Sequence, residues 1–413
     1  MEIKFSNTIN LKLLLNEIKA ITTIKENKVS FEAFRIFELE NVLESHIILP
    51  KKISNISKHS IVQKVIRKAA INGFDENEFR EILQVEVNNH FKKKEQNFYL
   101  LTSLSIDSLP YRKIRINNSE ILIKGKFYPK EFAINRKKLL AEKFVNDNNT
   151  DYLKIIVITK GKNDIDTFEE SLRNLGVFRA ILNLTLNPRI KIVFGKDDKP
   201  INQVRLGEFS TLHFENGKTI NDNNYWYEPN FYDKTYHLEN DNKFNLKKRI
   251  NWYLKRINLS NKKLNESICF GLGLYVNAFD EPDKQSCFLK SWTALENLLS
   301  TYKNDVIIKR CLVVFHKESR PLQKQILEAI KNYRNEFVHE GTEVLNHSIT
   351  VYCHHIQRNI LYLLMYNHLK FYNLFNNIEE ANEFLDKRGL ETILQYKEMN
   401  MFNTIIKHIN SKS

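Results

Sequence analysis

The stretch NYRNEFVHEG, residues 332–341, sets an arginine and a histidine five positions apart and ends on Glu-Gly. It continues LQKQILEAIKNY (322–333), whose apolar residues recur at helical spacing, and precedes the long amphipathic run SITVYCHHIQRNILYLLMYNHLKFY (348–372). Arg334 carries a planar donor fork suited to a phosphate, and its charge is permanent. The unperturbed pKa of a histidine, near ~6.5, suits His339 to proton transfer at neutral pH. Both residues are also common at helix ends. On a continuous helix they would stand about 140° apart. Convergence on one phosphate therefore predicts an interruption of the helix, which Gly341 would favour. Arg-x4-His alone is expected about once in two chains of this composition, and Asn335 directly after the arginine lowers that to roughly one in twenty.

Outward from the motif the pattern stays helical. KFNLKKRINWYLKRI (243–257) puts Leu246, Ile250, Tyr253 and Ile257 on one face, with Lys248, Arg249, Lys255 and Arg256 elsewhere. Helices are predicted over about 264–278, 285–300 and 305–316, and IEEANEFLDKRG adds one stopped by Gly389. Short connections imply antiparallel neighbours, so residues 241–413 are expected to form an all-α helical bundle with a C-terminal helical extension.

Upstream the periods mix. LKLLLNEIKAIT (11–22), SIVQKVIRKAAI (60–71), NEFREILQVEVNNHFKKK (77–94) and IDTFEESLRNLGVFRAILN (165–183) have helical spacing. FYLLTSLSI (98–106), KIRINNSEILIKGKF (113–127), LKIIVIT (153–159) and RIKIVFG (189–195) are short and β-branched. Asn117-Asn118 and Asn216-Gly217 mark hairpin turns. Residues 1–240 are thus expected to be an α+β domain, with a soft joint at NDNNT (146–150) and an irregular connector over 221–242.

Lys+Arg number 63 against 49 Asp+Glu, a net charge of +14, which favours a polyanionic partner such as nucleic acid. The abundance of Lys, Asn and Ile inflates that surplus. The four cysteines, Cys269, Cys287, Cys311 and Cys353, are isolated in apolar stretches, as free thiols of a reducing compartment would be. MEIKFSNTIN lacks the pattern of a signal peptide, and no apolar run approaches the ~20 residues of a membrane span. The expectation is a cytoplasmic protein with no membrane partner.

YRNEFVHEG ahead of a long amphipathic helix, with SWTALENLLS (291–300) some way upstream, resembles the HEPN superfamily of prokaryotic defence ribonucleases, particularly its Apea-like branch. The resemblance spans residues 243–375 and does not reach the N-terminal domain, to which it assigns no family. It implies a helical bundle with Arg334 and His339 catalytic, Asn335 supporting them, and Trp292–Glu296 as the branch's Trp-x3-Glu pair. It also implies a metal-independent endoribonuclease without cofactor, acting on RNA in antiphage defence by abortive infection, or as a toxin. The N-terminal domain would then hold it inactive until a phage-derived trigger or regulatory partner is sensed. The superfamily includes silent members, so a nucleic-acid- or nucleotide-binding adaptor or antitoxin is the alternative.

Metal-free RNA cleavage uses the 2′-hydroxyl as nucleophile and leaves a 2′,3′-cyclic phosphate. His339 would transfer protons, Arg334 would hold the phosphoryl oxygens, and Asn335 would orient either. Glu296 would tune His339 or bridge to Arg334. One motif supplies a single arginine and a single histidine, so a homodimer with a composite site is implied. Other groups read as structural. Arg310 and His316 diverge on a helix, Cys353-His354-His355 lacks an acidic or cysteine partner for zinc, and Trp292 reads as core. The runs KKK (92–94) and NRKK (135–138) read as solvated faces, and Gly161-Lys162 lacks the upstream glycines of a phosphate loop.

Overall fold

A computed structural model describes residues 3–6, 8, 10–26, 28–50, 53–145, 151–187, 199–220, 225–340 and 346–388. The chain is mixed α/β, with a sheet-rich N-terminal half and a helical C-terminal half. Its first elements are β1 (Lys4–Phe5), α1 (Leu11–Ala20), β2 (Thr22–Lys25), β3 (Lys28–Phe31), α2 (Ala33–His46), β4 (Ile47–Ile48), α3 (Asn55–Asn72) and α4 (Glu76–Lys92). Side-chain oxygens of Asn10, Ser54 and Asp75 accept from the first-turn amides of α1, α3 and α4, the groups a helix leaves unpaired. Apolar faces of these helices meet in a core of their own, built from Leu15, Ile18, Leu43, Val65, Phe79 and Leu83 among others. The α2 helix and the β2–β3 hairpin carry no clear sequence signal. Neither was expected.

Next come β5 (Gln96–Leu104), β6 (Lys113–Ile116), β7 (Ser119–Gly125), α5 (Lys130–Glu142), β8 (Leu153–Gly161), α6 (Asp164–Leu186), β9 (Phe209–His213) and β10 (Tyr225–Tyr227). The strands form one antiparallel sheet in the order β10-β9-β5-β8-β7-β6. Asn117, at φ 52°, turns β6 into β7, with Ile116 opposite Ser119 as the predicted hairpin requires. At the Asn216-Gly217 turn the outcome differs. The turn closes locally, but β9 takes as its ladder partner β10, from the segment read as connector. RIKIVFG and NDNNT (146–150) lie outside the described residues.

Helix α5 covers one sheet face, and here the basic run NRKK departs from a solvated face. Lys137 and Lys138 are exposed, yet Arg136 is buried. Its Nη1 donates to Leu101 O (3.3 Å) and Thr211 Oγ1 (2.8 Å), and its Nη2 donates to Phe209 O (2.8 Å). The fork satisfies carbonyls and a hydroxyl at the sheet surface, which stabilises a buried guanidinium.

Helix α6 lies on the opposite face, and its run Asn174–Thr185 is buried without a break because helices cover its outer side as well. Polar residues in that run find partners from distant segments. Asn183 exchanges two hydrogen bonds with the backbone of Val204 (2.8 and 2.9 Å), and Asn174 donates to Ser119 Oγ (2.8 Å). Arg179 forms a buried ion pair with Asp280, whose other oxygen accepts from Asn202 Nδ2 (2.8 Å).

The remaining helices are α7 (Asn240–Leu259), α8 (Lys262–Phe279), α9 (Lys284–Leu298), α10 (Asn304–Val313), α11 (Arg320–Glu340), α12 (Asn346–Leu363) and α13 (Ile378–Arg388). A π-helical turn, Leu364–His368, extends α12. The predicted stripe of α7 is buried at Leu246, Ile250, Tyr253 and Ile257; that of α12, Ile349, Tyr352, Ile356, Ile360 and Leu363, is buried at all but the half-buried Tyr352. Gly271 lets α8 approach α9 closely; a Cβ there would come within 2.6 Å of Leu298 Cδ2. Apolar residues from Phe98 to Leu385 form one continuous core shared by sheet and helices. Among the described residues no helix is long and apolar enough to cross a membrane.

Two outcomes follow for stability. Asp280→Ala strands Arg179 in the interior and should cost about 3–5 kcal/mol, measurable by denaturant unfolding. The second concerns Asp166. Burial raises its carboxyl, but hydrogen bonds from His90 and from Ser54 outweigh that and bring it to about 2, below the ordinary 3.8. A depressed carboxylate stabilises the fold above its unfolded value and loses that contribution as pH falls towards the folded value. Asp166→Asn should therefore destabilise at neutral pH, with the difference from wild type shrinking between pH 4 and about 2 in acid unfolding curves.

Candidate functional site

Trp292 and Glu296 lie four residues apart on α9, the spacing that puts two side chains on one helix face. Trp292 is buried, and its Nε1–H donates to Glu296 Oε1 at 2.8 Å. The predicted core residue is therefore also the donor that fixes the carboxylate. Arg334, on α11, brings Nη2 to 3.9 Å from that same oxygen. Its Nη1 donates to Asn335 Oδ1 at 3.5 Å. Both contacts are long, so they use little of a fork with five N–H donors. The arginine side chain is 31% exposed and the glutamate 18%. The guanidinium stands at the surface with a carboxylate beneath it.

Burial pushes the Glu296 carboxyl above its usual range, while the Trp292 hydrogen bond and the Arg334 charge pull it part of the way back. The residue before the motif arginine anchors the assembly. The Tyr333 ring packs edge-on against Phe288 of α9 (4.9 Å) and at a tilt against Tyr352 of α12 (5.5 Å). This aromatic wedge fixes the rotation of α11, and so points Arg334 towards Glu296.

The expected interruption between Arg334 and His339 is absent. The α11 backbone is helical from Arg320 through Glu340, so the motif forms its last turns instead of a junction between helices. Pro321 stands in the first turn, where its missing N–H costs nothing, and no glycine or proline follows until Gly341. Positions 334 and 339 consequently lie about 140° apart around one axis and about 7.5 Å apart along it. The His339 side chain and Gly341 lie outside the described part of the structure. Of the sequence-predicted set, Arg334, Asn335 and Glu296 are brought together.

The groups read as structural have structural partners. Arg310 forks onto Asp386 (3.1 and 2.7 Å), tying α10 to α13. His354 Nδ1 meets Gln357 Oε1 at 3.2 Å, and His355 Nδ1 accepts from Arg358 Nη2 at 2.9 Å. All four cysteines are buried free thiols, and Lys92, Lys93 and Lys94 are exposed. Sequence reasoning missed a second concentration of cations, at the end of α6 beside the bundle. Arg205, Lys234, Arg249 and Lys284 converge there from four separate segments, and no local pattern announces it.

The geometry sets a sign for Glu296. Trp292→Phe and Arg334→Ala each remove an influence that holds its carboxyl down, so either should raise the pH at which Glu296 ionises, read by carbon-detected titration of the side-chain carboxyl. An unmoved Glu296 titration would break the link between these three residues. No protein-family model, curated protein or solved structure matches the chain.

Proposed function

We propose that the chain is a metal-independent endoribonuclease of the HEPN type, with Arg334 and His339 as its catalytic pair and Asn335 and Glu296 in support. The observation that carries this reading is the seating of Arg334 on a Trp292-held Glu296, which joins the two halves of the resemblance across adjoining helices. A surface guanidinium with long, weak internal contacts suits a phosphate that must bind and leave. Glu296 sets its orientation, and a substrate phosphate would compete for the same fork.

In the reaction, a 2′-hydroxyl attacks the adjacent phosphorus and the bond to the 5′-oxygen breaks. His339 takes the proton from the attacking hydroxyl or returns one to the leaving oxygen; Arg334 balances charge on the phosphoryl oxygens. The unbroken helix turns positions 334 and 339 to different sides of α11. A pair of chains related by a two-fold axis would supply the arginine and histidine of one copy opposite those of the other, and a homodimer is the assembly proposed. The role proposed is a cytoplasmic antiphage or toxin effector, held in check through its N-terminal half. The same continuity of α11 favours a second reading, a module that binds nucleic acid or nucleotide through Arg334 without cleaving it, acting as adaptor or antitoxin.

The two readings separate on single substitutions. Wild-type protein should cleave RNA in EDTA and leave 2′,3′-cyclic phosphate ends, and strict dependence on added Mg²⁺ or Mn²⁺ would sink the mechanism. His339→Ala should lower cleavage by about 10²–10⁴-fold with RNA affinity little changed. Arg334→Ala should lose cleavage and part of the affinity together. RNA binding by wild type without cleavage under any condition tried selects the silent module.

A further inference from the structure

A cleft of about 680 Å³ opens where the end of α6, the segment 199–206 and the connector 232–239 face α7, α9 and α12. Among the described residues its wall carries the cationic side chains of Lys199, Arg205, Lys234, Arg249 and Lys284 and the carboxylate of Glu239. Such an excess in a concave, partly desolvated space focuses a positive potential. The size falls within the range of small-molecule sites.

Two of these cations are deep in the structure. Arg205 is 5% exposed and Lys284 is 3% exposed. Arg205 Nη1 donates to Asn202 O (2.7 Å), and Nη2 donates to Tyr232 O (3.1 Å) and Lys234 O (3.2 Å). The guanidinium also lies over the Tyr232 ring, 5.0 Å from its centroid. Neutral carbonyls thus hold it in place, while Nε has no hydrogen-bond partner. No carboxylate lies within ion-pair distance of it among the described residues. A buried charge with no close ion pair is a costly arrangement: burial pulls the Arg205 pKa below its ordinary value, while Tyr152 and the more distant Asp280 carboxylate pull it part of the way back. Lys284, at the start of α9, is fixed by the carbonyls of Lys199 and Pro282. At the rim, Lys234 and Arg249 are exposed.

We propose that this cleft binds a small, multiply phosphorylated molecule, with Arg205 and Lys284 as its floor and Lys234 and Arg249 closing on it from the rim. The ligand supplies the close negative charge that no carboxylate among the described residues brings within ion-pair distance of Arg205. Two observations favour a small molecule over an RNA strand: the deepest cations are almost wholly buried, and the space is a cleft instead of a track across the surface. Inorganic polyphosphate and a nucleoside polyphosphate share the recognising chemistry. A nucleotide adds a planar base, for which the half-buried Tyr232 and Tyr236 offer rings. The site stands apart from Arg334, so it holds or fails independently of the ribonuclease reading.

The test is isothermal titration and thermal denaturation of the full chain with inorganic triphosphate and, separately, with ATP. Saturable binding at one site per chain with a raised Tm is expected. Lys234→Ala/Arg249→Ala removes two exposed cations whose side chains the core does not use, so it should keep the apo Tm and weaken binding at least tenfold. Arg205→Gln should weaken it further; should that variant fail to fold, the rim variant still decides. Tighter binding of ATP than triphosphate identifies a nucleotide, and equal binding identifies the phosphate chain alone. Failure of both probes to bind, binding untouched by the rim variant, or displacement only by an RNA oligonucleotide would overturn the proposal.

Discussion

The Arg179–Asp280 ion pair holds the middle of the molecule together. It joins the centre of α6 to the end of α8 inside a region where water cannot substitute for either partner. Asp280 also receives Asn202, whose backbone N–H donates to Phe279 O, so one carboxylate locks three segments into a common register. Helix α6 can therefore be buried on every side over Asn174–Thr185, with the sheet on one flank and the bundle on the other. The shared apolar core follows from this arrangement. A helix covered on both flanks makes sheet and bundle a single packed body.

From that body the two candidate regions obtain their positions. Helix α9 begins in the cationic cleft at Lys284 and carries Glu296 about 18 Å further on, at 1.5 Å per residue. The Tyr333 wedge then sets Arg334 against Glu296. Charge at both places is handled alike. Carbonyls orient Arg205 and a loosely held carboxylate orients Arg334, and neither guanidinium has an ion pair as close as that of Arg179 with Asp280.

Most of the bundle was legible because its apolar stripes repeat with the helical period, as Leu246, Ile250, Tyr253 and Ile257 illustrate. The hairpin at Asn117-Asn118 was legible because its turn needs a residue that tolerates positive φ. Long-range pairing was not. β9 and β10 are joined by a ladder that no local pattern encodes, and the polar residues of α6 look like a solvent face until their partners from distant segments are known. Arg136 was misread for the same reason: its acceptors lie on β5 and β9. At the candidate site the residue types were readable, including the possible bridge from Glu296 to Arg334. The course of α11 was not, because Gly341 suggested an early stop while nothing from Leu322 to Glu340 breaks a helix. The cleft left no sequence trace. Its cations are single residues scattered from Lys199 to Lys284.

Among the described residues of the first ninety, the fully buried apolar side chains form a core that takes nothing from the sheet or the bundle. Polar bonds help moor this unit to the rest: Asp166 at the start of α6 receives His90 Nε2 (2.7 Å) and the Ser54 amide (3.1 Å). An attachment of this kind is modular. Its geometry can be matched by a unit presenting a few donors and acceptors at the same place, as His90, Ser54 and the carbonyls of His90 and Phe91 do, whereas a shared apolar core would demand matching shapes throughout. The N-terminal unit is thus the part of the architecture that evolution could exchange most cheaply, refitting one sheet-and-bundle body with different front ends.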